Sequence, residues 1–319
     1  MFLLIQNRER YRYVYERRRC QLNIAITGGT GFIGQHITKV LAAEGHHLYI
    51  LTRNPKESEQ NHLHYVQWLT EGAKPEHELP AIDVWINLAG KSIFTRWTDK
   101  AKKGILSSRL QSTQEVRRII EAQESKPSVL IQASAVGIYG TSKTEDFTEE
   151  APPADTDFLS HTSKLWEAEG QKIEALGIRT VYTRFGVVLG EKGTLPLMTL
   201  PYKLFAGGTI GSGSQWVSWV HVEDVAHLIA YAILHDHISG PLNVTSPNPV
   251  QMKQLGQTIA SVLHRPHWLK VPSFVIKTAL GDMSLLVLEG QRALPKKALL
   301  SSYEFLHPEL KEAILHSEE

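Results

Sequence analysis

Three glycines at intervals of three residues form the most chemically informative pattern in this chain. The segment Thr27-Gly-Gly-Thr-Gly-Phe-Ile-Gly34 joins a short apolar run to an amphipathic stretch, that is, a predicted strand to a predicted helix. Glycine lets the chain turn tightly and lets backbone amides approach a pyrophosphate, and the helix N-terminus favours the anion. The alternative is a glycine-rich turn with only a structural role. The predicted cofactor contacts are Gly28, Thr30, Gly31, Phe32, Ile33 and Gly34.

The residue type at the end of the second predicted strand distinguishes NAD from NADP, and this chain has a cation there. An acidic side chain there would bind the adenosine ribose hydroxyls of NAD, whereas a cation accepts the 2′-phosphate of NADP. The segment reads Thr-Arg53-Asn-Pro-Lys56, and the planar guanidinium of Arg53 suits a phosphate. The sequence therefore predicts NADP(H) as the cofactor. The alternative is that Arg53 is a solvated surface charge, which is the preferred interpretation of Lys56.

The elements around this turn alternate between short apolar runs and longer amphipathic stretches, as parallel strands and crossover helices do. The predicted strands are 22–27, 47–52, 63–69, 83–88, 128–134, 179–185 and 241–245. The predicted helices are 34–43, 98–124, 158–176, 222–235 and 251–263. This order predicts an α/β fold with a doubly wound parallel sheet of the Rossmann type.

Three regions differ in composition. Residues 1–21 form a basic leader with six arginines and two glutamates. We expect this leader to be disordered, and a start codon assigned too early would explain it. The alternatives are contacts to RNA or lipid and a role in organelle targeting. Residues 22–190 form the predicted NADP-binding domain, and 216–245 is a candidate to rejoin it. Residues 191–319 are predicted to form a substrate-side region with a C-terminal helical extension, a small cap without further sheet.

The overall composition is that of a globular protein. The chain has 319 residues, 42% of them hydrophobic, and a net charge of +1, so no field over its whole surface attracts nucleic acid or an anionic membrane. The one cysteine, Cys20, cannot form an internal disulfide, which favours a cytoplasmic location. No apolar run is long enough for a membrane span. We therefore expect a small-molecule substrate, with no nucleic acid and no membrane as partners.

Further motifs point to a family. They are Asn87–Gly90, Ala133–Gly140 and Trp219–Asp224, together with Arg96–Thr98, Ser108–Arg109, Trp216–Trp219 and Leu288–Lys297. With the glycine turn, they resemble the extended short-chain dehydrogenase/reductase family, in its atypical NAD(P)-dependent epimerase-like branch with a C-terminal helical extension. The resemblance covers the chain from Leu22 to its end. It is specific for the fold and less specific for the reaction.

The resemblance implies roles for several residues. Ser134 would orient the substrate, Lys164 would hold the nicotinamide ribose, and Asn87, Ala89 and Gly90 would line the edge of the cofactor. Arg109 would lie near the cofactor or substrate, with an ordinary helix-surface cation as the alternative. Family members also pair through the helices at 98–124 and 158–176, so a homodimer is an open expectation.

The chain departs from the family at the catalytic tyrosine. The family uses Tyr-x-x-x-Lys, which places a phenol and an ammonium on one helical face, yet Ser160 stands four residues before Lys164. Tyr139 is a candidate substitute as proton donor, with substrate packing as its alternative role. We expect His161 to face solvent and His221 to make a structural hydrogen bond.

Two functions from different classes remain open. The first is an NADP(H)-dependent oxidoreductase or epimerase acting on a small hydroxyl or carbonyl compound, with a nucleotide sugar as one example. The alternative is a regulator or scaffold that binds NADP(H) without turnover, as the absent tyrosine would permit. Although the chain has 15 histidines, no metal-ligand spacing such as His-Glu-x-x-His occurs, so no metal site is predicted.

Overall fold

The computed structural model describes residues 21–58 and 60–318, so residues 1–20 of the predicted leader lie outside the described residues. The strands are β1 (Asn23–Thr27), β2 (His47–Thr52), β3 (Leu63–Gln67), β4 (Val84–Asn87), β5 (Val129–Ala135), β6 (Asp146–Phe147), β7 (Arg179–Phe185), β8 (Val187–Leu189), β9 (Gly208–Ile210), β10 (Trp216–Val217), β11 (Trp219–His221), β12 (Gly240–Val244), β13 (Val250–Gln251), β14 (Leu269–Val271) and β15 (Arg292–Ala293). The α-helices are α1 (Phe32–Ala43), α2 (Pro75–Glu78), α3 (Asp99–Ala122), α4 (Phe158–Glu174), α5 (Leu195–Lys203), α6 (Val222–Leu234), α7 (Met252–Leu263), α8 (Ser273–Leu280), α9 (Leu285–Leu288), α10 (Lys296–Leu300) and α11 (Leu310–Glu318). Short 3-10 turns occupy Val136–Tyr139 and Gly281–Ser284.

The central sheet has seven parallel strands in the order β12-β7-β5-β4-β1-β2-β3. The predicted doubly wound parallel sheet is confirmed. The strand order reverses between β1 and β4, where Thr27 lies opposite Asn87 in register. In open sheets of this type, ligands bind in the crevice outside the carboxyl ends of the strands at such a reversal. The glycine turn therefore begins at the expected edge of the sheet.

Helices cover both faces of this sheet. Helices α1 and α6 pack against one another on one face, and α3 and α4 on the other. Alternate residues of β1 enter the two layers, since Ile24 and Ile26 belong to the first core cluster and Ala25 belongs to the second. Each fully buried aliphatic side chain of this kind contributes about 1.5–3 kcal/mol to folding. The two cores hold the strand ends, and thus the site, in fixed positions.

The region after Gly190 contains more β-strands than we predicted. Strand β12 corresponds to the strand predicted at 241–245 and pairs with β7 as an edge strand of the central sheet, so this part of the candidate segment 216–245 does rejoin that sheet. The prediction of a cap without further sheet is wrong, because β14 pairs with β9 and β15 pairs with β6. These strands are two or three residues long, too short to show an alternating pattern in sequence. They bind the C-terminal region to earlier parts of the chain.

Candidate cofactor and catalytic site

The glycine turn is packed too tightly to accept side chains at two of its positions. Gly28 has φ of +69°, and a Cβ there would lie 3.0 Å from the carbonyl carbon of Leu88. A Cβ on Gly34 would lie 2.6 Å from the Cα of Gly29, a distance that real Cβ atoms do not reach. Gly31 closes the turn by donating its amide to the Gly28 carbonyl at 3.0 Å. The turn thus brings β1, β4 and α1 into close contact.

The amino end of α1 is open. Its N-cap residue is Gly31, no side chain caps the helix, and its first turn holds no acidic residue. The first amides of a helix have no partner within the helix, and the helix dipole makes this end attractive to an anion. The ring of Phe32 lies against Gly193 within 3.1 Å of a Cβ built there, so its side chain faces the protein. The backbone amides at Phe32 and Ile33 are the groups left for a phosphate.

Arg53 directly follows β2 and is exposed, and no described residue pairs with its guanidinium. Lys56 lies nearby, with its Nζ 5.1 Å from the centre of the Tyr65 ring. A groove lined by Thr30, Lys56 and Tyr65, among others, runs beside the glycine turn. Lys56 and the glycine turn therefore border one groove, whereas Arg53 is not among the residues that line it.

Asn87, predicted at the cofactor's edge, instead points into the protein. It is fully buried; its side-chain nitrogen donates to Thr113 Oγ1 and Gln132 Oε1, both at 2.9 Å, and its oxygen accepts from Thr27 Oγ1 at 2.7 Å. The Thr27 hydroxyl also accepts the amide of Ala89 at 3.2 Å. Asn87 thus fixes the ends of β1, β4 and β5, and the backbone at Ala89 is what borders the crevice.

Arg109 contacts the loop after β4 at Gly90 and Lys91. Its Nη1 donates to the carbonyls of Lys91 and Ile105, both at 3.0 Å, and its guanidinium lies 5.0 Å from the Trp166 ring. A Cβ on Gly90 would lie 3.2 Å from Arg109 Cγ, so this glycine permits the close approach. Burial lowers the pKa of Arg109 to about 10, which leaves it charged at neutral pH. The structure places Arg109 against the predicted cofactor edge rather than free on the helix surface.

Ser134 belongs to a buried ionic network. Its hydroxyl donates to Glu167 Oε1 at 2.6 Å. Arg184 binds the same carboxylate through both oxygens, at 2.9 Å from Nε and 2.8 Å from Nη2. All three residues are buried. A bidentate pair of this kind fixes two side chains in one geometry, so Ser134 faces the interior and not an open cleft.

Tyr139 extends the same network. Its hydroxyl accepts from Arg184 Nη1 at 2.8 Å and donates to Asn243 Oδ1 at 2.7 Å, and its ring stacks on Phe147. Burial raises the pKa of Tyr139. Because its one proton is already donated and the ring is buried, the geometry does not favour Tyr139 as a proton donor to substrate.

The residue at the tyrosine position has a structural task. Ser160 is fully buried and completes a capping box at the start of α4, where its Oγ accepts the Asp157 amide at 3.0 Å while Asp157 Oδ1 accepts the Ser160 amide at 3.0 Å. Such a box satisfies two helix-end groups reciprocally. A tyrosine at this position would lack the short hydroxyl side chain that accepts the Asp157 amide, so the capping box would be lost.

Lys164 is the exposed member of the predicted catalytic set. Its Nζ lies 3.0 Å from Asp155 Oδ2, and His161 Nδ1 lies 2.8 Å from the other oxygen of that carboxylate. The hydrogen bonds from Lys164 and His161 lower the pKa of Asp155. His161 is half exposed, as expected, but it is paired. The sequence reasoning did not identify Asp155, which lies in a loop rich in acidic residues.

His221 makes the structural hydrogen bond that we expected. It is 2% exposed, and its Nδ1 accepts the Glu223 amide at 3.3 Å at the start of α6. Burial and the neighbouring His307 lower the pKa of His221 to about 3. The sequence reasoning missed Glu167 and Arg184; a charged residue inside the apolar run of β7 was the signal for Arg184.

The parallel sheet, the glycine turn and the open helix end define a dinucleotide-binding protein of the Rossmann class. A sequence profile of the NAD dependent epimerase/dehydratase family matches residues 24–244, and the chain belongs to this family. A profile of a domain of unknown function, DUF1731, matches residues 271–317. These matches confirm the resemblance predicted from the motifs, including the C-terminal extension.

Several known proteins are similar over most of the chain. The epimerase family protein YfhF of Bacillus subtilis is 66% identical over 293 residues, covering 92% of this chain and 97% of that protein. The crystal structure of the human epimerase family protein SDR39U1 with NADPH has a TM-score of 0.83 at 31% identity, covering 93% of this chain and 99% of that one. A nucleoside-diphosphate sugar epimerase from Corynebacterium glutamicum has a TM-score of 0.74 at 28% identity, covering 93% of this chain and 58% of that one.

No helix within residues 21–58 and 60–318 combines the length and the apolar character that a membrane crossing requires.

Proposed function

We propose that this protein is an NADP(H)-dependent oxidoreductase or epimerase acting on a small hydroxyl- or carbonyl-bearing compound, with a nucleotide sugar as one candidate. The observation that carries the proposal is the uncapped amino end of α1 beside the tightly packed glycine turn. Both features fit a pyrophosphate, since a Cβ at Gly34 would fill the space that lets helix and strand approach. The bound nicotinamide would supply or accept the hydride.

The preference for NADP(H) rests on the end of β2. Arg53 is exposed there, Lys56 follows, and the intervening Asn54 and Pro55 offer no carboxylate to a ribose. The human relative was solved with NADPH and is 31% identical, which supports the same preference. In this proposal Arg53 binds the 2′-phosphate, and Thr30 and Lys56 line the groove beside the glycine turn.

For the reacting end, we propose that Lys164 holds the nicotinamide ribose. It is exposed, and Asp155 fixes its ammonium at 3.0 Å. Ser134 and Tyr139 act as positioning residues, because their hydroxyls are engaged with Glu167 and Arg184 beneath the carboxyl end of β5. The backbone of Ala89 and Gly90, supported by Arg109, borders the cofactor.

The second candidate function is a protein that senses NADP(H) without turnover. Ser160 favours it, because this residue is buried in the capping box and leaves no phenol at the family's catalytic position. In that case the cofactor would bind while no substrate accepts the hydride.

Calorimetric titrations with NADPH and NADH test the cofactor assignment. We expect NADPH to bind more tightly, and Arg53→Ala to weaken NADPH binding about 10-fold or more, because hydrogen bonds to charged groups contribute about 1.5–3 kcal/mol. NADH binding should not change. Arg265→Ala is the matched control, since Arg265 is also exposed but stacks on Phe205 outside the crevice. Equal NADPH affinity in the two variants would contradict the assignment.

Turnover is tested separately by following nicotinamide absorbance with a panel of aldehydes, ketones and nucleoside-diphosphate sugars. Loss of NADPH absorbance with any of them, or epimerisation detected in the recovered sugar, supports the enzyme. A protein that binds NADPH tightly and transforms no member of the panel would favour the sensor.

A further inference from the structure

Three imidazoles and one carboxylate meet where the C-terminal segment contacts the start of α6. His221 ends β11, Glu223 lies in the first turn of α6, His307 precedes α11, and His316 lies near the end of α11. Ring nitrogens of His221 and His307 and a carboxylate oxygen of Glu223 all lie within 4.8 Å of one another. His221 and Glu223 are more than 80 positions from His307 and His316, so no local spacing motif could reveal the whole cluster.

Glu223 already accepts a hydrogen bond from His307, and the spacing of the cluster is also short enough for its side chains to share one metal ion. Glu223 Oε2 lies 2.9 Å from His307 Nε2 and 3.4 Å from His316 Nε2. With metal–ligand distances of about 2.0–2.2 Å, two ligand atoms of a tetrahedral zinc site lie roughly 3.3 Å apart. The rings also crowd together, with centroids 4.1 Å apart for His221 and His307 and 4.8 Å apart for His307 and His316.

The donor set selects a class of metal. Imidazole nitrogen with a single carboxylate oxygen suits Zn²⁺ and similar transition metals, whereas Mg²⁺ and Ca²⁺ require mostly oxygen ligands. His221 is buried, His307 is nearly so, and His316 lies half exposed at the rim, which leaves an entry path for the ion.

Ligation by His221 has a cost. Its Nδ1 accepts the Glu223 amide at 3.3 Å, and a neutral ring that accepts at one nitrogen carries its proton on the other. A metal on either ring nitrogen therefore competes with this bond. The bond is long, and a metal bound to this ring would replace it at the cost of leaving the Glu223 amide without this acceptor.

We propose that His221, Glu223, His307 and His316 bind one divalent transition metal of the zinc class. The ion ties the segment 303–318 to the start of α6. Asp224 already anchors that segment, since its carboxylate accepts the amides of Leu306 at 2.6 Å and His307 at 2.9 Å. The site is structural, and its four residues do not line the groove beside the glycine turn.

The test uses the full chain, freed of any affinity tag and treated with a chelator, then titrated with Zn²⁺ by calorimetry. We expect one ion per chain, and a loss of affinity of at least about 10-fold in His307→Ala or His316→Ala, since even the partners of metal ligands contribute about 10–100-fold. Each variant keeps the backbone amide that binds Asp224, so it should fold, and circular dichroism checks this. His237→Ala is the matched control, because His237 and His235 form another histidine pair with centroids 5.6 Å apart.

A second readout identifies the coordination. Co²⁺ added to the chelator-treated protein should give the intense visible bands of a tetrahedral site, and His316→Ala should abolish them. Zn²⁺ should raise the unfolding temperature of the unmodified protein by several degrees and have no such effect on His307→Ala, since binding to the native state stabilises it. Failure of the unmodified protein to bind Zn²⁺, or binding unchanged in both ligand variants, would overturn the proposal.

Discussion

After β1 and β2, the amino end of α1 and the guanidinium of Arg53 have no side-chain partner among residues 21–58 and 60–318, whereas at the carboxyl end of β5 the polar groups are engaged inside the protein. The amino end of α1 is uncapped and Arg53 is exposed. By contrast, the Ser134 hydroxyl is bound to Glu167, and Tyr139 is bound to both Arg184 and Asn243. The exposed groups of the first region fit the cofactor that we propose, whereas the buried groups of the second stabilise the fold.

This difference separates two kinds of expected mutational effect. A change in the outward region should alter cofactor affinity with little effect on folding, because its groups make few contacts within the protein. A change in the buried network should lower the free energy of unfolding, because removing one member leaves another polar group unsatisfied. Measuring NADPH affinity and the free energy of unfolding on the same variants tests whether the two regions differ in function as they differ in geometry.

The largest effect is expected at Arg184. Arg184→Met leaves the Glu167 carboxylate buried without its cation, and breaking a buried pair in this way costs about 3–5 kcal/mol. Denaturant unfolding measures the loss. Lys296→Met is the control, because Lys296 pairs with Glu150 at the surface, where such a pair contributes about 0–1 kcal/mol. Equal losses in the two variants would mean that the network does not have the stabilising role we assign to it.

A smaller loss is expected at Ser134. Ser134→Ala removes a 2.6 Å hydrogen bond to a charged carboxylate, and such bonds contribute about 1.5–3 kcal/mol to stability. NADPH affinity should remain that of the unmodified protein. If stability were unchanged while turnover of an identified substrate fell sharply, Ser134 would act on the substrate and the buried geometry would not describe its role.

These residues also show why sequence predicted one region and not the other. The spacing of the glycines and the cation after an apolar strand depend only on neighbouring residues. The positions of Gly28, Gly34 and Arg53 in the fold could therefore be predicted from the sequence. The partners of Ser134 come from α4 and β7, 33 and 50 positions away, and no local pattern encodes them. The family pattern placed Ser134 at the end of the fifth strand, but it could not state which side chain its hydroxyl would meet.

The same reasoning explains the elements. The long strands and helices of the central sheet follow from periodicity, which depends on neighbouring residues. The pairs β6 with β15 and β9 with β14 have two or three residues per strand, and their pairing depends on how the C-terminal region folds back. The histidine cluster likewise depends on tertiary contact, since His221 and His307 are 86 positions apart.

Unlike Arg53, Gly34 is packed within the protein, so Gly34→Ala should reduce both stability and NADPH affinity. The added Cβ would lie 2.6 Å from Gly29 Cα, so the glycine turn must shift; overpacking of this kind costs about 1–3 kcal/mol of folding stability, and the displaced amides should bind NADPH several-fold more weakly. Gly104→Ala is the control, because a Cβ there meets only the flexible Lys91 side chain at 3.5 Å. A titration in which both variants bind NADPH equally well would remove the glycine turn from the proposed cofactor site.

The smallest effect is expected at Ser160, which occupies the position of the family's catalytic tyrosine. Ser160→Ala removes one half of the capping box and should lower the free energy of unfolding by about 1 kcal/mol, a typical value for a helix cap. Ser107→Ala, at an exposed position inside α3, should change it by less than about 0.5 kcal/mol. If Ser160→Ala instead left stability unchanged and abolished NADPH oxidation by an identified substrate, Ser160 would take part in catalysis. The capping box predicts the reverse, because every hydrogen bond of the Ser160 hydroxyl is made to the backbone at Thr156 and Asp157.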